Sequence, residues 1–70
     1  MPDHPDLATS LKEYRQSAGL TQADLAAKVS VSRKTINTIE NGVFVPTTVL
    51  ALRLARALGC RVEDLFSLRD

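Results

Sequence analysis

Five polar side chains recur along one side of residues 33–41, and their types suit hydrogen bonding to an extended polar partner. If Ile36 and Ile39 point inward, helical steps of 100° turn the polar residues between them outward. The outward set consists of Arg33, Lys34, Asn37, Thr38 and Asn41. Donors, acceptors and positive charge of this kind can bond both the phosphates and the base edges of nucleic acid. Arg33 suits guanine, and Asn37 could suit adenine.

The charge around this segment is local. No acidic residue lies between Asp24 and Glu40, and Lys28 adds a third positive charge, predicted to contact phosphate. The formal net charge of the whole chain is only +1, so overall charge favours no class of partner. On charge alone, Arg33 and Lys34 would more often form an ordinary solvated face. The surrounding elements must therefore decide between the two interpretations.

Residues that could perform catalysis or hold a metal are scarce. The single histidine is His4, in the leading segment, and the single cysteine is Cys60, expected to be a small core residue. No nucleophile has a base nearby, and no glycine-rich phosphate loop occurs. The sequence therefore predicts a protein that is not an enzyme and has no metal and no cofactor.

Caps and apolar spacing predict five helices behind a disordered lead-in over residues 1–6. Thr21 with Asp24 forms a capping-box pattern, and Ser32 is a good N-cap. The residues from Val43 to Pro46 are predicted to form a loop, because no partner strand is expected for them. The first predicted helix runs from Leu7 to Gly19 and the second from about Gln22 to Val29. The third follows its cap Ser32 and runs to about Glu40, the fourth follows its cap Thr47 or Thr48 and runs to Leu58, and the fifth runs from about Val62 to Phe66.

The second and third helices are separated by residues 30–32 alone, so they must turn sharply against each other. Leu25 and Val29 form the inner face of one helix, and Ile36 and Ile39 form the facing stripe of the other. This is the signature of a helix-turn-helix, and it favours nucleic-acid contact over a solvated face.

The run LTQADLAAKVSVSRKTINTIENG resembles the Cro and lambda-repressor-like helix-turn-helix family. The following run LRLARALGCRVEDLF is similar to the closing two helices of that family. Together they cover about residues 10–66. The resemblance implies an all-α, five-helix DNA-binding domain over residues 7–70 and double-stranded DNA as the partner.

The same resemblance implies roles for single residues. Positions that contact DNA phosphates in the family correspond to Gln22, Asn41 and the backbone of Gly42 and Val43. Positions that read bases correspond to Ser32, Arg33 and Lys34 and, one turn later, to Thr38. An arginine of the first helix often pairs with a glutamate that ends the third, which matches Arg15 and Glu40.

Two positions depart from the family pattern. The turn position usually filled by glycine is Ser30, and a positive φ at serine would cost roughly 1 kcal/mol. The cap of the last helix is Arg61 rather than serine or aspartate, which leaves the boundary of that helix less well specified.

A chain of 70 residues buries little core, and its lone cysteine excludes an internal disulfide, so a second subunit is the expected reinforcement. Phe66 and Leu68 are the predicted dimer contact, with burial in the subunit's own core equally open for Phe66. No apolar run approaches the ~20 residues of a membrane span. The lone cysteine and the lack of a signal peptide fit the cytoplasm.

These observations predict a transcriptional regulator, either a repressor or an activator, that binds a palindromic operator as a homodimer. Two alternatives stay open. In one, the domain is an antitoxin or a bridging co-activator whose main partner is a protein. In the other, it is the DNA-binding domain of a longer, ligand-sensing regulator.

Overall fold

In the computed structural model, which describes residues 6–69, the chain forms five helices and a two-stranded sheet. The all-α, five-helix fold class is thus confirmed, with a small sheet added to it. The elements are β1 (Leu7–Thr9), α1 (Leu11–Ser17), α2 (Gln22–Val29), α3 (Arg33–Glu40), α4 (Thr48–Leu58), α5 (Val62–Leu65) and β2 (Phe66–Leu68).

Side-chain caps fix the starts of α2, α3 and α4. The Thr21 hydroxyl accepts the backbone N–H of Asp24 at 3.0 Å, and the Asp24 carboxylate accepts the N–H of Thr21 at the same distance. The backbone N–H of Thr21 lowers the pKa of Asp24. Ser32 and Thr47 each accept the N–H three residues ahead at 3.1 Å. The predicted starts of these three helices are confirmed.

Each of the helices α1 to α4 is followed within two residues by a residue of left-handed conformation, which turns the chain sharply. In α2 this residue is Ser30, with φ 62° and ψ 43°, and the N–H of Val31 donates to the Ala26 carbonyl at 3.0 Å. Glycine occupies the corresponding position after the other three helices. Among the described residues, Ser30 is the one non-glycine residue with positive φ. The backbone therefore adopts the left-handed conformation at this turn although serine stands where the family usually has glycine.

A single apolar core lies where the five helices meet. Every helix contributes at least one fully buried side chain; together these are Leu11, Leu25, Ile36, Ile39, Leu54 and Leu65. The residues predicted to face inward from α2 and α3 are all buried. Cys60 packs half-buried against this core, and its burial raises the pKa of the thiol.

The start of the first helix was predicted wrongly. Residues 7–9 form β1 instead, which pairs antiparallel with β2 so that Leu7 faces Leu68 and Thr9 faces Phe66. The Ser10 N–H donates to the Leu65 carbonyl at 2.8 Å, which holds the two ends of the domain together. The apolar spacing of this segment suits a strand as well as a helix, and the partner that decides between them lies at the other end of the chain.

The predicted lead-in is described only at Asp6, whose carbonyl accepts the Arg69 N–H at 2.9 Å. Residues 1–5 of that prediction lie outside the described residues. The fifth helix ends at Leu65, one residue before the predicted end, because Phe66 joins β2. At its start the Asp64 carboxylate accepts the Arg61 N–H at 2.9 Å, which offsets the lack of a capping side chain at Arg61.

Replacing Ser30 with glycine is expected to stabilise the domain. Left-handed φ and ψ cost a residue with a Cβ roughly 1–2 kcal/mol. The greater freedom of glycine in the unfolded chain offsets part of this, by about 0.4–1 kcal/mol. We expect Ser30→Gly to raise the free energy of unfolding in urea by about 0.5–1 kcal/mol. Ser30→Ala is the matched control and should stay near wild type, since alanine keeps the Cβ. Equal stabilities for the two variants would contradict a strained turn.

Candidate nucleic-acid interface

The outer face of α3 carries polar side chains, and its inner face is buried. Ile36 and Ile39 are at most 1% exposed, whereas Arg33, Lys34 and Asn37 are exposed. Within residues 6–69, neither the Arg33 side chain nor the Lys34 side chain forms a hydrogen bond or an ion pair. The first turn of α3 therefore presents two cations that the rest of the described chain leaves available.

Two of the predicted base-reading residues are hydrogen-bonded to α3 itself. The Ser32 hydroxyl caps the helix and lies 3.0 Å from Thr35 Oγ1. The Thr38 hydroxyl donates to the Thr35 carbonyl at 2.9 Å, which uses its hydrogen. Thr38, which is half-buried, can therefore offer an outside partner its oxygen lone pairs and methyl group but no donor.

The last turn of α3 uses the backbone groups that were predicted to bind phosphate. The N–H of Gly42 donates to the Ile39 carbonyl at 3.1 Å, and the N–H of Val43 donates to the Thr38 carbonyl at 2.9 Å. These two bonds close the helix end. They leave the exposed side chain of Asn41 as the group at this end that can reach a phosphate.

A buried ion pair supports α3 from below. Arg15 of α1 donates to Glu40 through Nε at 2.5 Å and through a terminal nitrogen at 3.2 Å. The two side chains are 9% and 2% exposed. Arg15 also donates to the Leu20 carbonyl at 2.8 Å. The hydrogen bond to Glu40 raises the pKa of Arg15. The pair thus ties α1 and the following link to the end of α3.

Gln22, at the start of α2, joins this ion pair to the outer face of α3. Its Nε2 donates to Glu40 Oε1 at 3.1 Å and to Asn37 Oδ1 at 3.2 Å. Both amide hydrogens are used in this way, so the side chain has no donor left for a phosphate. A phosphate contact at this position would have to use the Gln22 backbone N–H, which has no carbonyl partner within α2.

Lys28 lines a groove between α2 and α4. Arg53 and Arg56 of α4 line the same groove. Residues 25–61 contain six lysines and arginines and one acid, Glu40, which Arg15 already pairs. Arg53 and Arg56 were not predicted as site residues. The excess of lysine and arginine over acidic residues in this segment, within a chain of net charge +1, was the pattern that could have indicated them.

A second groove, of about 460 Å³, is apolar and lies on the sheet side of α4. Phe66 lines it and packs half-buried against the core. Leu68, on the same face of β2, is 72% exposed. Phe44 is 44% exposed and does not join the core. Besides Phe66, the residues that line the groove are Leu7, Val45, Pro46, Thr48, Ala51, Leu52, Val62 and Glu63.

Residues 6–69 form neither a metal-binding cluster nor a membrane-spanning helix. No group of three or more His, Cys, Asp or Glu side chains there could hold a metal ion. His4 lies outside the described residues. None of the described helices is long and apolar enough to cross a membrane.

Comparison with known proteins gives consistent results. The family model described as Helix-turn-helix matches residues 11–65. An HTH-type transcriptional regulator of Methanothermobacter thermautotrophicus is 46% identical over 65 residues, covering 91% of this chain and 94% of that protein. The restriction-modification controller protein C.AhdI from Aeromonas hydrophila superposes with a TM-score of 0.73 at 31% identity, covering 77% of this chain and 82% of that one.

A longer protein also matches. Multiprotein-bridging factor 1 of Debaryomyces hansenii is 37% identical over 58 residues, which is 83% of this chain and 39% of that protein. The chain thus spans about two fifths of that relative.

Removing Glu40 is expected to destabilise the domain severely, because Arg15 would stay buried without a counter-charge. Breaking a buried pair costs roughly 3–5 kcal/mol. We expect Glu40→Ala to lose about this much in urea unfolding followed by circular dichroism. Adding Arg15→Met should recover part of the loss.

The exposed pair of Arg61 and Glu63, 3.0 Å apart, supplies the control. Glu63→Ala should leave the unfolding curve essentially unchanged, because solvent screens that pair. A loss in Glu40→Ala no larger than in Glu63→Ala would show that the buried pair does not support α3.

Proposed function

The chain belongs to the Cro and lambda-repressor-like helix-turn-helix family and carries the DNA-binding domain of a transcriptional regulator; we propose that it reads a specific duplex sequence through α3. The observation that carries this proposal is the availability of Arg33 and Lys34. Both are exposed and have no partner within the described chain, on a helix whose other side is anchored by Ile36 and Ile39.

In this proposal α3 enters the major groove with its N-terminal end toward the base edges, as recognition helices do. Arg33 donates two hydrogen bonds to a guanine, which discriminates against a wrong base by roughly 1–3 kcal/mol. Lys34 and Asn37 contact neighbouring edges. Lys28 and Asn41 contact phosphates, which fixes the register of the helix without reading sequence.

We further propose that two copies bind together through the apolar groove beside α4. Leu52 and Leu68 are 56% and 72% exposed, and Phe66 and Leu7 continue the same apolar surface between them. Exposed apolar surface of this kind on a small domain is typical of an interface. A twofold dimer would read a palindromic operator, and it would regulate transcription by occupying DNA in the cytoplasm, without chemistry of its own.

A protein partner is the second candidate function. Two observations favour it: the similarity to a protein named as a bridging factor, and the groove lined by Lys28, Arg53 and Arg56, none of which forms a salt bridge within the described residues. An acidic segment of another protein would suit this groove. Sequence-specific DNA binding that depends on α3 distinguishes the first proposal from this one.

Arg33→Ala is expected to lose specific binding more than nonspecific binding, because only a base contact carries sequence information. The preferred duplex is first selected from random DNA, and affinity for it is then compared with that for a scrambled duplex. We expect the affinity ratio to fall about 5- to 150-fold, which corresponds to the discrimination of one bidentate contact.

Lys28→Ala is the control and should weaken binding to both duplexes alike. If Arg33→Ala keeps the full ratio, and Lys34→Ala, Asn37→Ala and Thr38→Ala keep it too, α3 does not read sequence. The protein-partner proposal then becomes the better one.

The dimer is tested on β2, where neighbouring residues point to opposite faces. Leu68→Asp places a charge on the apolar side, and we expect it to shift sedimentation from dimer to monomer with the helical circular dichroism retained. Ser67→Asp adds the same charge to the other face and should sediment like wild type. Phe66 is less suitable, since it also packs on the core. A dimer unchanged by Leu68→Asp would move the interface away from this groove.

A further inference from the structure

The basic groove between α2 and α4 has a volume of about 310 Å³. It is lined by Lys28, Val29, Ser30, Arg53, Arg56 and Ala57. We propose that this groove binds an acidic segment of a partner protein while α3 reads DNA, and that the two ligands share Lys28. The DNA part of this inference rests on the proposed function. The two candidate functions then belong to one domain, in which the partner lowers DNA affinity without changing which sequence is read.

The positive charge of the groove is unpaired on its α4 side. Arg53 and Arg56 are exposed, and their side chains form no hydrogen bond or ion pair within residues 6–69. Hydrogen bonds with Thr21 lower the pKa of Asp24, and the charge of Lys28 adds to this effect. Among the described residues, no acid lines the groove. Arg53 and Arg56 are therefore the groups that carboxylates of another chain would pair with.

Stabilisation of helix ends accounts for only part of this arrangement. Lys28 and Arg56 lie in the last turns of α2 and α4, where a positive charge interacts favourably with the helix dipole. That effect falls off within one turn, and Arg53 lies in the middle of α4. The third cation of the groove therefore has no such role in the fold.

Apolar surface beside the arginines favours a protein segment over a DNA backbone. Val49 is 58% exposed, and Val49, Arg53 and Arg56 follow the i, i+4, i+7 spacing that places residues on one face of a helix. An apolar side chain among the acids of a protein segment would bury Val49, whereas a phosphate backbone gains nothing from it. No residue of α3 lines the groove, so a duplex held by α3 does not by itself fill it.

Lys28 couples the two ligands. In the proposed function it contacts a DNA phosphate, and such a contact carries no sequence information. An acidic segment that pairs with Lys28 removes this contact, so affinity falls for every duplex alike. The base contacts of α3 stay in place, and the ratio of affinities for the selected and scrambled duplexes is unchanged. By linkage, DNA weakens the binding of the acidic segment by the same factor.

The test uses a synthetic peptide in which pairs of glutamate alternate with pairs of leucine, with glutamine replacing glutamate in the control peptide. Peptide affinity is measured without DNA for wild type and for two variants that each lose two charges. Arg53→Ala with Arg56→Ala should weaken binding of the glutamate peptide about 2- to 30-fold, the range of two exposed ion pairs. Arg33→Ala with Lys34→Ala is the matched control and should bind the peptide like wild type. Circular dichroism checks that both variants are folded.

The second measurement adds DNA. When the glutamate peptide saturates wild type, affinities for the selected and scrambled duplexes should fall by one common factor. Equal peptide affinity in the two variants, or equal affinity of wild type for the two peptides, would overturn the inference. A selected-to-scrambled ratio that falls would place the peptide on α3, which also overturns it, and DNA affinity that does not change would overturn the shared use of Lys28.

Without peptide, Arg53→Ala with Arg56→Ala should bind both duplexes like wild type. Weaker binding to both would make the groove a phosphate site and overturn the protein segment as its ligand. The peptide measurements need no DNA, so a wild type that selects no duplex sequence contradicts the proposed function, while peptide affinity still decides the ligand of the groove.

Discussion

The ion pair between Arg15 and Glu40 links α1 to the end of α3, and a hydrogen bond from Gln22 to Glu40 adds the start of α2 to the same point. Both side chains are almost out of contact with solvent, so each charge is tolerable only while the other is present. The guanidinium also satisfies the Leu20 carbonyl, and the carboxylate accepts Gln22. The segment between α1 and α2, the start of α2 and the end of α3 therefore meet at one buried charge pair. No buried side-chain nitrogen or oxygen in the described chain is left without a partner.

The use of the acidic residues explains how a nearly neutral chain presents a basic surface. Asp24 and Asp64 accept backbone N–H groups at helix starts, and Glu40 and Glu63 pair with arginines. These acids bond local backbone or side-chain groups, and no lysine or arginine of α2, α3 or α4 forms a salt bridge within the described chain. The net charge of +1 is thus a poor guide to the field near α3, because attraction of phosphate depends on the nearby charges.

The domain keeps its polar and apolar surfaces apart. One side of α3 carries cations and amides, and the sheet side of α4 carries exposed leucines around a groove. The sheet contributes to this second surface by bringing Leu7 beside Leu68, so that both termini of the described chain build one apolar face. A domain with so small a core can leave such a face exposed only at a loss of hydrophobic stabilisation, which a second copy would restore.

The sequence by itself determined the parts of the molecule that depend on neighbouring residues. The caps at Thr21 and Ser32 and the inward side chains of α2 and α3 follow from interactions within a few residues, which give the sequence a recognisable spacing. Tertiary structure alone decided the pairing of β1 with β2, the groove that joins Lys28 to Arg53 and Arg56, and the hydrogen bond from Gln22 to Asn37. Each of these depends on a partner far along the chain. A short segment that is compatible with helix or strand adopts the structure that its distant partner stabilises. A polar side chain likewise bonds whichever distant group the fold brings within reach.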